Sequence, residues 1–506
     1  MKGKELIYKA IRFEKCERAP WVPFVGVHGA YLIDCDSESY LKSKELIVKG
    51  VNAAIDKYDP DGIPVVFDLQ LEAEALGCKV IWAKENPPSV VGHPLSEGVS
   101  LDELEIPGAE GRVAIVLEAA RELRAQHPNI ALYGLVTGPF TLGLHLLGTD
   151  IFMQMFMDET GVHKLMKFCT NVAKEMSRLY AEAGCDIIAI VDPMTSQIGT
   201  DQFDAFVSEY MKDIFGHIRK LGKYSSFFVC GDAQHNIEAM CNCMPDNVSI
   251  DENIPLDYVR DVCLPKGISF GGNLKLTATL LLGTAEESEK DALDCLAKGG
   301  ERGFILAPGC DLPYRTVIDN LTAVKDIATD KYKREIAQVL HAKNLSAAKD
   351  KKTSDMGSQA ESRISENETN TSEKERNRSN EVTIRSEIET NRDIENELKT
   401  QTETYPALPK VKVDVITLDS ASCAPCQYMM NAVLKATEPL GISVVTEEFK
   451  IKENRGLAMM NVLGVKKIPT ICIDGELCFS STIPPVEVIK KAIELRISNK
   501  KDKGII

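Results

Sequence analysis

Several signatures that would point to common function classes are missing from this 506-residue chain. Neither GxGxxG nor GxxxxGK followed by Ser or Thr comes after a strand-like run, which argues against a nucleotide-binding open sheet. No apolar stretch reaches the roughly 20 residues a bilayer requires. The opening "MKGKELIYKAIRFEKCERAP" has no apolar core of a secretion signal. Positive charge is in short supply, 59 Lys and Arg against 75 Asp and Glu, a net −16. That balance argues against nucleic acid and anionic membrane as partners. The expected compartment is the cytoplasm, and the 15 cysteines are expected to be reduced there. Their spacing makes no disulfide framework, so the question is which few carry chemistry while the rest pack as small hydrophobes.

What is present divides the chain into three regions. Residues 1–340 alternate short apolar runs with amphipathic helical stretches. The runs are "DGIPVVFDL", "NIALYGLVTG", "CDIIAIVDP", "SSFFVCG", "DNVSID", "ISFGGN" and "GFILAPGC". Strand–helix alternation of this length implies a parallel α/β sheet, and a (β/α)8 TIM barrel is the expected form. In such a barrel the C-terminal strand ends carry the chemistry, here Asp68, Thr137, Asp192, Cys230, Asp251, Asn273 and Cys310. Residues 341–408 form a polar tether; the stretch from 343 to 404 has no aromatic, cysteine or proline. A segment of that composition cannot bury enough apolar area to offset its ordering entropy.

Residues 409–498 read as a second α/β domain: strand, CxxC, helix, strand, helix, and two strands around "DG". A CxxC opening a helix after a strand is a redox arrangement. The helix N-terminus favours the thiolate of Cys423, and Cys426, one turn on, resolves a mixed disulfide. With "KKIPT" the region resembles the thioredoxin and glutaredoxin family, in which the proline matching Pro469 is cis and faces the active disulfide.

For the large domain, "VVFDLQLEAEALG", "TGPFTLGLHLLG" and "ILAPGCDLP" resemble the uroporphyrinogen decarboxylase superfamily. That superfamily includes both decarboxylases and corrinoid-dependent methyltransferases acting on thiols such as coenzyme M. The decarboxylase pattern matches at Asp68, which the resemblance makes a catalytic aspartate. Its carboxylate-gripping arginines are replaced by Gly26 and Ala30, its tyrosine by His145, and its late histidine by Cys310. The methyltransferase pattern of His-x-Cys and a later cysteine after Ala-Pro-Gly matches at Cys230 and Cys310. Phe228 stands where the histidine belongs.

That resemblance implies zinc held by Cys230 and Cys310, with Asp192 or His145 completing the set, and a pocket including Asn273 and Asp311. It also implies a methylated corrinoid on a carrier protein as donor and a small thiol as acceptor. Two other states of Cys230 and Cys310 stay open: a buried apolar pair, and a reversible disulfide served by the tethered CxxC. Two rival functions stay open too, a redox-regulated module that binds a corrinoid or tetrapyrrole without turnover, and a uroporphyrinogen decarboxylase-like decarboxylase.

Overall fold

The computed structural model describes residues 3–341, 394–418, 420, 424–451, 453–480 and 483–505, with backbone alone at 424 and 425. Cys423 and the tether from 342 to 393 lie outside the described residues.

The first strand, β1 (Gly62–Pro64), leads into a small antiparallel ribbon, β2 (Lys79–Ile81) and β3 (Ser89–Gly92). Six further strands follow: β4 (Ala131–Thr137), β5 (Ile187–Val191), β6 (Tyr224–Val229), β7 (Asn247–Ile250), β8 (Ser269–Leu274) and β9 (Phe304–Pro308). They pair in parallel in the order β1-β4-β5-β6-β7-β8-β9. Every residue of β4, β5 and β9 is buried, as expected for strands covered on both faces.

The period of two sorts these side chains into two cores. Tyr133, Leu135, Ile187, Ala189, Val191, Phe228, Ile305 and Ala307 fill the interior. Their neighbours Leu132, Val136, Ile188, Ile190, Phe227 and Leu306 face the surrounding helices.

The apolar runs account for seven staves, and the ring closes through an eighth that is only a few residues long. Val22 N–H donates to Leu306 O at 3.0 Å, and Leu306 N–H donates to Pro20 O at 2.9 Å. On the other side Asp61 N–H donates to Trp21 O at 2.9 Å, next to β1. The bridge of Trp21 with Leu306 is parallel, so the curled sheet is a TIM-like barrel.

The C-terminal unit holds β10 (Val411–Thr417), β11 (Val444–Lys450), β12 (Thr470–Ile473) and β13 (Glu476–Ser480). Their order is β11-β10-β12-β13, with β10 and β11 parallel and the other pairs antiparallel. Helices Ala424–Thr437, Asn454–Val462 and Val486–Asp502 complete a thioredoxin-like α/β fold. The peptide bond between Ile468 and Pro469 is cis.

The tether expected over 341–408 ends earlier than its composition suggests. Residues 394–404 are helical, and Leu398 and Tyr405 are fully buried with Ile416, Phe449 and Met459. Two apolar side chains at suitable positions are enough to dock that helical segment on the second core. Among the described residues no helix is long and apolar enough to cross a membrane.

Candidate active site at the barrel mouth

Cys230 follows β6, two residues beyond Phe228, so it continues the inward phase of that strand. Cys310 follows β9 after Gly309. Their Cα atoms are 6.0 Å apart and their sulfurs are joined in a disulfide that spans 80 residues of sequence. Gly231, at φ 88°, turns the chain out of the strand in a conformation that a side chain disfavours. Its N–H donates to Asp251 Oδ2 at 2.8 Å, tying the ends of β6 and β7 together.

Five carboxyl-bearing residues share with the sulfurs a cavity of about 330 Å³: Glu85 and Glu453, and the three that follow the strand ends, Asp251, Glu252 and Asp311. Burial pushes these last three above the usual carboxylate range, and the charge of Asp251 pushes Glu252 further. Asp251 accepts from Asn253 N–H at 2.9 Å, and Glu252 accepts from Leu276 N–H. Asp311 accepts from Gly26 N–H at 2.8 Å. A Cβ on Gly26 would lie 2.4 Å from Asp311 Oδ1. A side chain at this position, where the decarboxylase pattern would place an arginine, would have to displace the Asp311 carboxylate.

The remaining sequence candidates are placed as follows. Asp68 is buried and forms an ion pair with Arg112 Nη1 at 2.5 Å, while Arg112 Nε reaches Glu74 at 2.5 Å. Asn273 donates from Nδ2 to the carbonyls of Asp251 (3.2 Å) and Ile254 (2.7 Å), fixing the loop behind the cavity rather than lining it. Asp192 accepts from the N–H groups of Phe140 (3.0 Å) and Thr141 (2.8 Å) and from the Thr141 hydroxyl. Its carboxylate is spent on the start of helix Pro139–Leu147. His145, on that same helix, points at the C-terminal unit, where its Nδ1 and the Tyr428 hydroxyl hydrogen bond at 2.8 Å.

These placements do not make a zinc site. Phe228 is fully buried among Phe24 and Phe67, with ring centroids 4.8 and 5.7 Å away. Cys230 and Cys310 are bonded to each other, and Asp192 and His145 are engaged elsewhere. Among the described residues no three or more His, Cys, Asp or Glu side chains are grouped to hold a metal ion. Of the four expected ligands, Asp192 and His145 are thus held by other partners and Cys230 and Cys310 by each other.

The C-terminal unit sits on the mouth by the face that carries Cys426 and cis-Pro469. Cys426, cis-Pro469, Ile468 and Leu418 line the same cavity as Cys230 and Cys310. Cys426 is fully buried, and its sulfur accepts from Leu418 N–H at 3.4 Å. The two residues that follow it fasten the helix to the barrel. Gln427 Nε2 donates to Val90 O at 2.8 Å, and Tyr428 reaches His145 and joins the apolar core of the barrel's helical layer. Two residues before cis-Pro469, Lys467 pairs with Asp232 at 2.5 Å, two residues after Cys230. Glu252, Gln427, Tyr428 and the Lys467–Asp232 pair were not singled out from sequence. Each lies within two residues of one that was, but the pairing between them is set only by docking.

A uroporphyrinogen decarboxylase (URO-D) family model matches residues 2–330, and a thioredoxin domain model matches residues 410–494. The chain is 27% identical over 341 residues to the methylcobamide:CoM methyltransferase MtbA of Methanosarcina acetivorans, covering 64% of this chain and 97% of the relative. It is 24% identical over 340 residues to the uroporphyrinogen decarboxylase of Thermodesulfovibrio yellowstonii, covering 64% and 97%. A solved methyltransferase structure from Methanosarcina mazei shares the fold with a TM-score of 0.60 at 22% identity, over 65% of this chain and 98% of that one. The chain belongs to the uroporphyrinogen decarboxylase (URO-D) family and carries a thioredoxin domain at its C-terminal end.

Proposed function

We propose that the barrel moves a methyl group between a methylcobamide, presented by a corrinoid carrier protein, and a small thiol. The C-terminal domain acts as a thiol–disulfide oxidoreductase through Cys423 and Cys426, with cis-Pro469 on the same cavity as Cys426, and the protein works in the cytoplasm. The observation that carries the barrel's role is the exchange of groups at the mouth. Where a decarboxylase would grip carboxylates with arginine, Asp311 fills the space at Gly26, and two cysteines stand at the strand ends.

The residues support thiol chemistry without the metal that the family resemblance implies, so no step passes through zinc. An acceptor thiol must lose its proton before it can attack a methyl group. Glu252, raised by burial and by Asp251, is the group on the cavity wall suited to take it. Asp311 and Asp251 hold the mouth in shape through Gly26 and Gly231. Asp68 acts at a remove, by orienting Arg112.

The test is loss of the methylcobalamin spectrum in the presence of the reduced full-length chain and a thiol. Thiol-dependent demethylation that falls at least tenfold in Glu252→Gln supports the reading. Binding of methylcobalamin without turnover would make the barrel a binding module in which Phe228 closes a former site.

A further inference from the structure

We propose that the Cys230–Cys310 disulfide is the substrate of the chain's own thioredoxin domain, so that the C-terminal CxxC delivers electrons into the barrel. It rests on the reading of that domain as an oxidoreductase and does not depend on methyl transfer.

Three observations converge on this exchange. First, the barrel disulfide and Cys426 face one cavity, with cis-Pro469 in the same wall. The surface by which the small domain would meet a disulfide substrate is thus the surface it lays on the barrel. Second, the contacts that hold it there are adjacent in sequence to the reacting groups on both sides. Gln427 and Tyr428 directly follow Cys426, while Lys467 and Asp232 stand two residues from Pro469 and Cys230. An arrangement that aligned the domain for some other purpose would have no reason to place its fastenings there. Third, among the described residues Cys426 is the free thiol that shares this cavity with the disulfide: the barrel cysteines Cys78, Cys169, Cys185, Cys241, Cys243, Cys263 and Cys295 are buried within packing and line no part of it.

The exchange balances within the chain. A CxxC thiolate attacks one sulfur of the barrel disulfide, forming a mixed disulfide as the other barrel sulfur leaves as a thiolate and takes a proton. The second CxxC thiol, losing its proton, attacks the mixed disulfide and releases the second barrel thiolate. Two electrons pass from the small domain to the barrel, which ends as a dithiol, and the CxxC ends as a disulfide. An external dithiol restores the CxxC for another cycle.

The experiment uses the full chain, oxidised with diamide and desalted, then given stoichiometric dihydrolipoamide. Samples are quenched with N-ethylmaleimide over time and the modified cysteines are mapped by mass spectrometry. The expected result is that Cys230 and Cys310 become modified at least tenfold faster in the wild type than in Cys423→Ser. Lys467→Glu, a change at a side chain 60% exposed, slows the exchange. Adding Asp232→Lys to it restores the rate, which separates docking from any loss of fold. Equal rates in the wild type and Cys423→Ser, with Cys423 and Cys426 themselves cycling, would overturn the relay and leave the oxidoreductase reading standing. A CxxC that does not exchange with the dithiol would overturn both. Recovery of Cys230 and Cys310 as free thiols after diamide would overturn the relay at its substrate.

Discussion

The two sulfur sites of this chain are built on opposite plans. In the barrel, Cys230 and Cys310 come from strands 80 residues apart, and only closure of the sheet brings their Cα atoms to 6.0 Å. In the C-terminal domain, Cys426 lies in helix Ala424–Thr437 and is only three residues in sequence from the other cysteine of its CxxC. The barrel pair shares its cavity with carboxyl groups whose pKa values burial raises. Cys426 lies in the first turn of its helix, where the N-terminal dipole favours a thiolate. The difference teaches a division of labour: the local site is disposed to attack, and the topological site is disposed to be attacked.

The strongest way to break that comparison is to change one site at a time. Glu252→Gln in the barrel should reduce thiol-dependent demethylation of methylcobalamin by at least about tenfold, whereas Cys426→Ala should leave it within about threefold under reducing conditions. If both variants lose activity equally, the sites are one machine and not two.

The next effect is on stability. A disulfide closing an 80-residue loop is worth about 4 kcal/mol in the chain-entropy account. Cys310→Ala should therefore lower the guanidinium midpoint of the barrel in oxidised protein and hardly at all in reduced protein. A smaller effect follows from Gly26→Ala, which forces a methyl group against Asp311 and should cost about 1–3 kcal/mol without creating decarboxylase activity. An active decarboxylase from Gly26→Arg would show that the mouth retains the older chemistry.

Between the two regions lies a pH dependence of known sign. Burial, with the charge of His93 second, lowers the pKa of His145 from its ordinary value near 6.5 to about 3. The docked state thus holds a neutral imidazole that the separated state would protonate below about 6.5. Docking should be fully present above that pH and weaken as the pH falls towards 3, by at most about 1.4 kcal/mol per unit. Chemical cross-linking of the two domains across this range would show it, and His145→Gln should flatten the profile.

How much of this could be read from sequence follows from where each signal lives. The seven long staves are legible because a strand buried on both faces is a continuous apolar run, as in "CDIIAIVDP". The eighth is not, because Pro20 and Pro23 confine it to a few residues that pair only when the ring closes. Asp192 and His145 sit at plausible places for ligands, yet one meets a helix N-terminus and the other a tyrosine 283 residues away. Phe228 was the informative residue. The side chain that cannot bind a metal is packed in the aromatic interior beneath Cys230. The CxxC and Ile-Pro-Thr are local motifs and pointed directly to the second fold. The helix over 394–404 was hidden by its charged composition, with Leu398 the residue that anchors it.

The salt bridge between Lys467 and Asp232 has a consequence for anything that must enter the mouth. With the small domain seated, the opening is a chamber of about 330 Å³, too small for a macrocycle held on a carrier. A large ligand therefore meets only the fraction of molecules in which the domain has lifted away. If that fraction is about one in a hundred, the observed affinity is about a hundredfold weaker than the open barrel's own. Raising the salt concentration or reversing the charge at position 467 would then tighten the binding of the bulky partner while slowing electron delivery. This surface contact, together with Gln427 and Tyr428 at the same seam, tunes the exchange between two visitors that cannot be present together.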